Sequence, residues 1–224
     1  SKAKLLEFIS NSINEVIGSY SSFVDIFSGT GVVGHYFNNT NIKVISNDLL
    51  YSNYITNYAF LSHESFNYNK IDCCINEFNN IKGKENYFSK HFGDKFFSKD
   101  TAKKIGTIRE NIEKLYKKNE INFRERAILI TSLIYASDKI ANTCGHYDAY
   151  RENIDLKDDI FLKHLDIFHD KNSNNEIYNT DSNILFEQLN YNVDIVYADP
   201  PYNSRQYSSL YHLVENLARW EKPD

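Results

Sequence analysis

Ser21-Ser22-Phe23-Val24-Asp25-Ile26-Phe27-Ser28-Gly29-Thr30-Gly31-Val32-Val33-Gly34 is the stretch that decides the fold. Ser21 to Phe27 reads as a short buried strand, and three glycines at Gly-x-Gly-x-x-Gly spacing follow it directly. Gly29 and Gly31 permit positive φ and a close backbone approach at the carboxyl end of that strand. On the amino side, Leu5, Leu6, Ile9, Ile13 and Ile17 recur at helical spacing within residues 2–17. On the carboxyl side a helical run leads to a second strand, Ile42 to Ser46, which ends at Asn47-Asp48. A further helix is expected over Leu50 to Ser62. Strand, glycine turn, helix, strand and acid in that order open a doubly wound α/β sheet, whose ligands bind beyond the carboxyl ends of the strands. Asp48 lies 17 residues past Gly31, where an acid can accept from two ribose hydroxyls. Taken singly, the glycines also suit an ordinary tight connection, and Asp48 beside Asn47 also suits a turn.

The pattern resumes near Glu176. Ile177 to Asp181 reads as a short strand ending in an acid, and Val193-Asp-Ile-Val-Tyr-Ala198 as a buried strand running into Asp199-Pro200-Pro201-Tyr202. Two consecutive prolines fix the backbone and remove two N–H donors, leaving carbonyls free to accept. A carboxylate, a fixed carbonyl and a ring within four residues suit an exocyclic amine on a flat base. The plainer reading is a Pro-Pro turn that closes a strand.

Between these parts, residues 64–100 read as polar, aromatic and irregular. Residues 101–118 read as a basic helix capped by Thr101, and 123–142 as a more apolar helix. The chain carries a net charge of −5, yet residues 82–126 hold 13 Lys/Arg against 7 Asp/Glu. Such a block is either a solvated face or a footprint for phosphates. At 224 residues and 42% hydrophobic, the chain holds one full domain and a smaller insertion. Cys73, Cys74 and Cys144 lack zinc or disulfide spacing and fit a reducing cytoplasm. No apolar run reaches the ~20 residues of a membrane span.

The order of glycine motif, inserted region and Asp-Pro-Pro-Tyr resembles the DNA adenine-N6 methyltransferases of restriction–modification type, over nearly the whole chain. Ser1-Lys2-Ala3-Lys4-Leu5-Leu6 is similar to the end of that family's opening segment. Asp25 to Gly31 resembles its cofactor motif, Asn47-Asp48 its ribose-binding acid, and Asn179-Thr180-Asp181-Ser182 the segment whose acid contacts the cofactor's adenine. Asp199 to Tyr202 resembles the catalytic motif, with Asn203 to Tyr207 and Tyr211-His212 as its continuation. The resemblance implies S-adenosylmethionine as cofactor, bound by Lys2, Asp25, Phe27, Ser28, Gly29, Gly31, Asp48 and Asp181. It implies Asp199, Pro200, Pro201 and Tyr202 as the catalytic group, acting on an adenine flipped out of double-stranded DNA. No metal is called for. Candidate DNA contacts are Lys103, Lys104, Arg109, His146, Tyr147, Arg151 and Arg205.

The fold expected is therefore a doubly wound, Rossmann-like methyltransferase sheet. Residues 1–63 and 171–224 form its catalytic domain, and 64–170 a mostly helical insertion for target recognition. The family's further strands are absent after Trp220, so a carboxyl-terminal segment or a second chain is expected to complete the sheet. A cognate restriction endonuclease system is the implied partner. Methylation of adenine in RNA or of a protein amide, and a non-catalytic DNA-binding fragment, are the competing readings. A Rossmann dehydrogenase accounts for the glycines and Asp48 but not for Asp-Pro-Pro-Tyr.

Overall fold

The computed structural model describes residues 2–38, 42–144, 147, 149–152, 155–156, 159–167, 174–189, 191–200 and 210–222. The chain divides into two units, Ser1–Ser65 with Ile167–Tyr202, and Phe66–Asp166 with Asn203–Asp224.

The first unit is built on β1 (Ser22–Asp25), β2 (Lys43–Asn47), β3 (Glu176–Tyr178) and β4 (Ile195–Tyr197), in the order β3-β2-β1-β4. All three pairings are parallel, which is the expected α/β architecture. Every residue of β1 is buried, as in a strand covered on both faces. On one face Phe23, Val44 and Ile195 meet Val33 and Phe37 of α2 (Val32–Asn38) and Leu61 of α3 (Tyr51–Leu61). Leu6, Ile9 and Ile13 of α1 (Leu6–Val16) close that side, through the helical spacing seen in the sequence. On the other face Val24 and Ile45 pack with Leu185 of α8 (Ser182–Gln188). Because the strands are parallel, the segments after Asp25, Asn47, Tyr178 and Tyr197 all emerge at one edge.

The second unit contains α4 (Tyr68–Asn80), α5 (Tyr87–Phe92), α6 (Lys99–Lys117), α7 (Phe123–Ile140) and α9 (His212–Arg219). Residues 64–100 are thus not irregular. Ile71, Ile75 and Phe78 give α4 a narrow buried stripe, and Asn67 caps it by accepting from the Lys70 N–H. A capping box between Asn86 and Ser89 starts α5. The cap of α6 is Ser98, whose side chain accepts from the Thr101 N–H; Thr101 itself lies inside the helix. Residues 210–222 were expected with the sheet, but they belong to the helical unit, where α9 buries Leu213, Leu217 and Ala218. Cys73 and Cys144 are exposed free thiols. Among the described residues, no helix is long and apolar enough to cross a membrane.

Candidate active site

The glycine turn is fixed from three sides. Ser28 donates both its N–H (2.9 Å) and its hydroxyl (3.0 Å) to the Asn47 carbonyl at the end of β2. Gly29 has φ +54, and its N–H donates to Asp48 Oδ2 at 2.8 Å. The other Asp48 oxygen accepts from the Leu50 N–H at 2.9 Å. Asp48 is therefore a turn-former, and it is also a carboxylate beside the glycine turn with lone pairs left to accept. Gly31 has φ +80, and a Cβ there would stand 2.4 Å from Asn57 Oδ1. Asn57, buried on α3, donates to the Gly29 carbonyl (2.9 Å) and Ser28 Oγ (3.2 Å) and accepts from Ser46 Oγ (2.8 Å). Sequence reasoning missed Asn57. Its signal was a polar residue placed between the apolar positions Ile55 and Ala59 of a helix.

Charge gathers at the same strand ends. Asp25 is fully buried, and neither carboxylate oxygen has a well-formed hydrogen bond. Burial pushes its carboxyl up to about 7, opposed by the charge of Lys2 and the Phe27 N–H and reinforced by Asp48 and Asp199. Lys2 Nζ stands 2.9 Å from Asp199 Oδ2 and 5.8 Å from the centre of the Tyr197 ring. Burial alone would lower the Lys2 ammonium, but the hydrogen bond to Asp199 and the charge of Asp25 raise it overall. Ser28 is buried and Phe27 half-buried beside this cluster. Asp181 is exposed and caps α8 by accepting from the Asn183 N–H at 2.8 Å. Asn179 links the two loops by donating to the carbonyls of Asp48 (2.7 Å) and Leu49 (3.0 Å). Pro200 is exposed next to Asp199. Pro201, Tyr202, His146 and Arg205 lie outside the described residues.

Of the expected DNA contacts, two are corrected. Arg109 is fully buried; its guanidinium donates to the carbonyls of Leu217 and Ala218 and pairs with Glu113. It anchors α9 to α6 and presents nothing to a phosphate. Tyr147 is 4% exposed, with its hydroxyl donating to Asp138 at 2.8 Å. Lys104 is engaged within the unit, donating to the carbonyls of Asn79 (2.8 Å) and Ile160 (3.2 Å). Lys103 pairs with Asp100 at 2.9 Å. Arg151 is exposed.

A glycine turn, an acid after the second strand and Asp199-Pro200 after the fourth therefore share one edge of a parallel sheet. Comparison with protein families matches residues 1–224 to the D12 class N6 adenine-specific DNA methyltransferases. The chain belongs to that family. Relatives include the modification methylase StsI of Streptococcus sanguinis, 35% identical over 230 residues, which span 92% of this chain and 33% of the relative. The type II methyltransferase M.NlaIII of Neisseria lactamica is 31% identical, across 99% of this chain and 68% of its own length. The type II methyltransferase M.FokI of Planomicrobium okeanokoites is 34% identical, across 100% of this chain and 37% of its own. This D12 class chain thus spans about a third of StsI and M.FokI and about two thirds of M.NlaIII. No solved structure matches it.

Proposed function

We propose that this chain transfers a methyl group from S-adenosylmethionine to N6 of a flipped-out adenine in double-stranded DNA, as the modification half of a restriction–modification system. The observation that carries this reading is the juxtaposition of Lys2, Asp25 and Asp199 at the strand edge that also bears the glycine turn. Membership of the D12 class supports it, as does the wording of the relatives' names.

The donor set fits the cofactor. A buried carboxylate without a well-formed hydrogen bond needs a cation nearby, and S-adenosylmethionine carries both an ammonium and a sulfonium. Gly29 leaves open space for close backbone approach, Gly31 lets Asn57 pack against the turn, and Asp48 and Asp181 offer acceptors for hydroxyl and amino hydrogens. Asp25, Phe27, Ser28, Gly29, Gly31, Asp48 and Asp181 would hold the cofactor, with Lys2 bordering both halves of the site. When bound, S-adenosylmethionine supplies an electrophilic methyl group on its sulfonium.

The protein's own contribution is positioning and electrostatics. Adenine N6 is a poor nucleophile because its lone pair is delocalised into the ring. Asp199 and the Pro200 carbonyl accept the two N6 hydrogens and favour a tetrahedral nitrogen. Lys2 holds the Asp199 carboxylate in place. Tyr202 is assigned the stacking face for the extruded base, a contact worth ~1–3 kcal/mol. Extrusion itself costs a few kcal/mol. DNA contact falls to the helical insertion, and the cytoplasm is where such a substrate is met.

The test is transfer of labelled methyl from S-adenosylmethionine to unmethylated DNA, followed by digestion to nucleosides. Label is expected in N6-methyladenine and is expected to vanish with Asp199→Ala. Label in RNA or in protein in preference to DNA would replace the substrate assignment.

A further inference from the structure

The end of α7 carries an arrangement that the catalytic edge does not use. Asn142 is 7% exposed and makes two hydrogen bonds to the backbone of a single residue, Arg151. Its Oδ1 accepts from the Arg151 N–H at 3.2 Å, and its Nδ2 donates to the Arg151 carbonyl at 2.8 Å. The same Nδ2 donates to the Lys95 carbonyl at 3.0 Å, and the Asn142 N–H donates to the Phe96 carbonyl at 2.8 Å. One buried amide thus ties three chain segments together. Arg151 is held at both of its backbone polar groups while its side chain is exposed, and the guanidinium has no ion pair or hydrogen bond with any described residue.

Beside it lies a cavity of about 180 Å³, lined by Asn142, Arg151, Asp155 and the end of α7 at Ile140. This setting disfavours phosphate. The carboxyl end of a helix carries partial negative charge, and the Asp155 carboxylate adds a full one. An exposed arginine fork on an anchored backbone, next to a carboxylate acceptor, suits a base edge instead. Arginine donates to guanine O6 and N7, and aspartate accepts from the cytosine amino group. Base reading demands close placement of the reading residue, and both backbone polar groups of Arg151 are held by Asn142.

We propose that Arg151 reads a G·C pair of the target DNA and that Asn142 is the positioning residue that aims it. The proposal rests on the reading of this chain as a DNA methyltransferase and assigns one determinant of its specificity. The test is selection of bound duplexes from a randomised pool by the chain and by Arg151→Ala, Arg151→Lys and Asn142→Ala, with folding checked by circular dichroism. Methyl transfer to bulk DNA is assayed separately, so that failure of the catalytic reading is seen on its own.

The unsubstituted chain is expected to enrich a sequence containing one G·C pair whose selection is lost in both arginine variants, at a cost of about 5- to 150-fold in affinity for that sequence. Asn142→Ala is expected to relax the same position and leave the others unchanged, which a general loss of fold cannot do. The proposal is overturned if Arg151→Ala keeps the enriched sequence or if Arg151→Lys binds as the unsubstituted chain does, the mark of a phosphate contact. It is equally overturned if all positions fade together or if the unsubstituted chain enriches no sequence while still methylating DNA.

Discussion

Lys2 Nζ and Asp199 Oδ2 meet at 2.9 Å, so the start of the chain and the end of β4 share one ion pair. Both side chains are about a third exposed, so the pair adds little stability. In the proposed reaction its value lies in orienting the carboxylate that would accept from the substrate amine. Asp199→Ala is therefore expected to lower methyl transfer at least ~10³-fold, as loss of a group acting in the transition state does. S-adenosylmethionine binding should stay within a few-fold in the same variant. Lys2→Met is expected to lower kcat by about 10- to 100-fold with a smaller change in cofactor affinity. Equal loss of kcat and cofactor binding in Lys2→Met would mean that Lys2 belongs to the cofactor half alone.

Asp25 lies behind this pair with its carboxyl raised to about 7 by burial. Its folded value exceeds the unfolded one, so the folded state holds the extra proton between about pH 4 and 7. Stability from this group is present at low pH and falls as pH rises through 7. Asp25→Asn should thus raise the melting temperature at pH 8 and lose that advantage near pH 4. A cation bound beside Asp25 favours the ionised form, so cofactor affinity should rise between pH 6 and 8 and the rise should disappear in Asp25→Asn. Calorimetric titrations at three pH values decide it; a flat profile for the unsubstituted chain would remove Asp25 from the cofactor site.

The two glycines of the turn are not equivalent. Gly29 has φ +54 and open space around an added Cβ, whereas Gly31 has φ +80 and Asn57 Oδ1 at 2.4 Å from it. Gly29→Ala is expected to cost about 1 kcal/mol, the backbone penalty alone. Gly31→Ala also displaces Asn57, which holds Ser28 and Gly29 in place, and should cost about 2–4 kcal/mol. Cofactor affinity should fall further in Gly31→Ala than in Gly29→Ala. Urea unfolding gives the first comparison and equilibrium dialysis the second.

Where chemistry was local, the sequence was readable. The run from Ser21 to Gly34 places β1, the turn and α2, and Asp48 and Asp199 follow short strands rich in apolar residues. The helical unit was harder, because residues 64–100 hide three-residue stripes such as Ile71, Ile75 and Phe78 among polar neighbours. Their caps, Asn67 and Asn86, are two of many asparagines in the chain, and nothing in the sequence marks them out. Arg109 shows the limit of reading charge. A basic residue on a basic helix suggests a solvated face, and only the fold shows that α9 covers it. Asn57 and Asn142 were equally hidden, since a buried amide is recognised by the carbonyls around it and not by its neighbours in sequence.

Asp194 offers a pH dependence of opposite sign to that of Asp25. One of its oxygens accepts from the N–H and hydroxyl groups of both Ser21 and Ser22, at 2.8–3.0 Å, which ties the approach to β4 to the start of β1. The Ser21 N–H leads the bonds that lower its carboxyl to about 2. Its folded value lies below the unfolded one, so the stability it adds is present above about pH 4 and is lost as pH falls towards 2. Asp194→Ala should be less stable than the unsubstituted chain at pH 7, and the gap should narrow as pH falls from 4 towards 2. Denaturant midpoints at pH 7, 4 and 2.5 give the comparison; a gap independent of pH would assign the effect to the serine contacts of the neutral side chain.

Arg109 supplies the test that separates fold from DNA contact. It is fully buried, paired with Glu113 and bonded to two carbonyls of α9, and Arg126 shares the same glutamate at 2.6 Å. Arg109→Met takes the guanidinium donor from the carbonyls of Leu217 and Ala218 and leaves Glu113 to Arg126, so it should cost about 3–5 kcal/mol of stability. A phosphate contact would instead appear in the salt dependence of DNA binding, where each contact contributes about 0.9 to the slope of log K against log salt. The slope is expected to be unchanged in Arg109→Met, measured where circular dichroism shows the variant folded. A drop of about one unit with stability unaltered would return Arg109 to the DNA-binding surface.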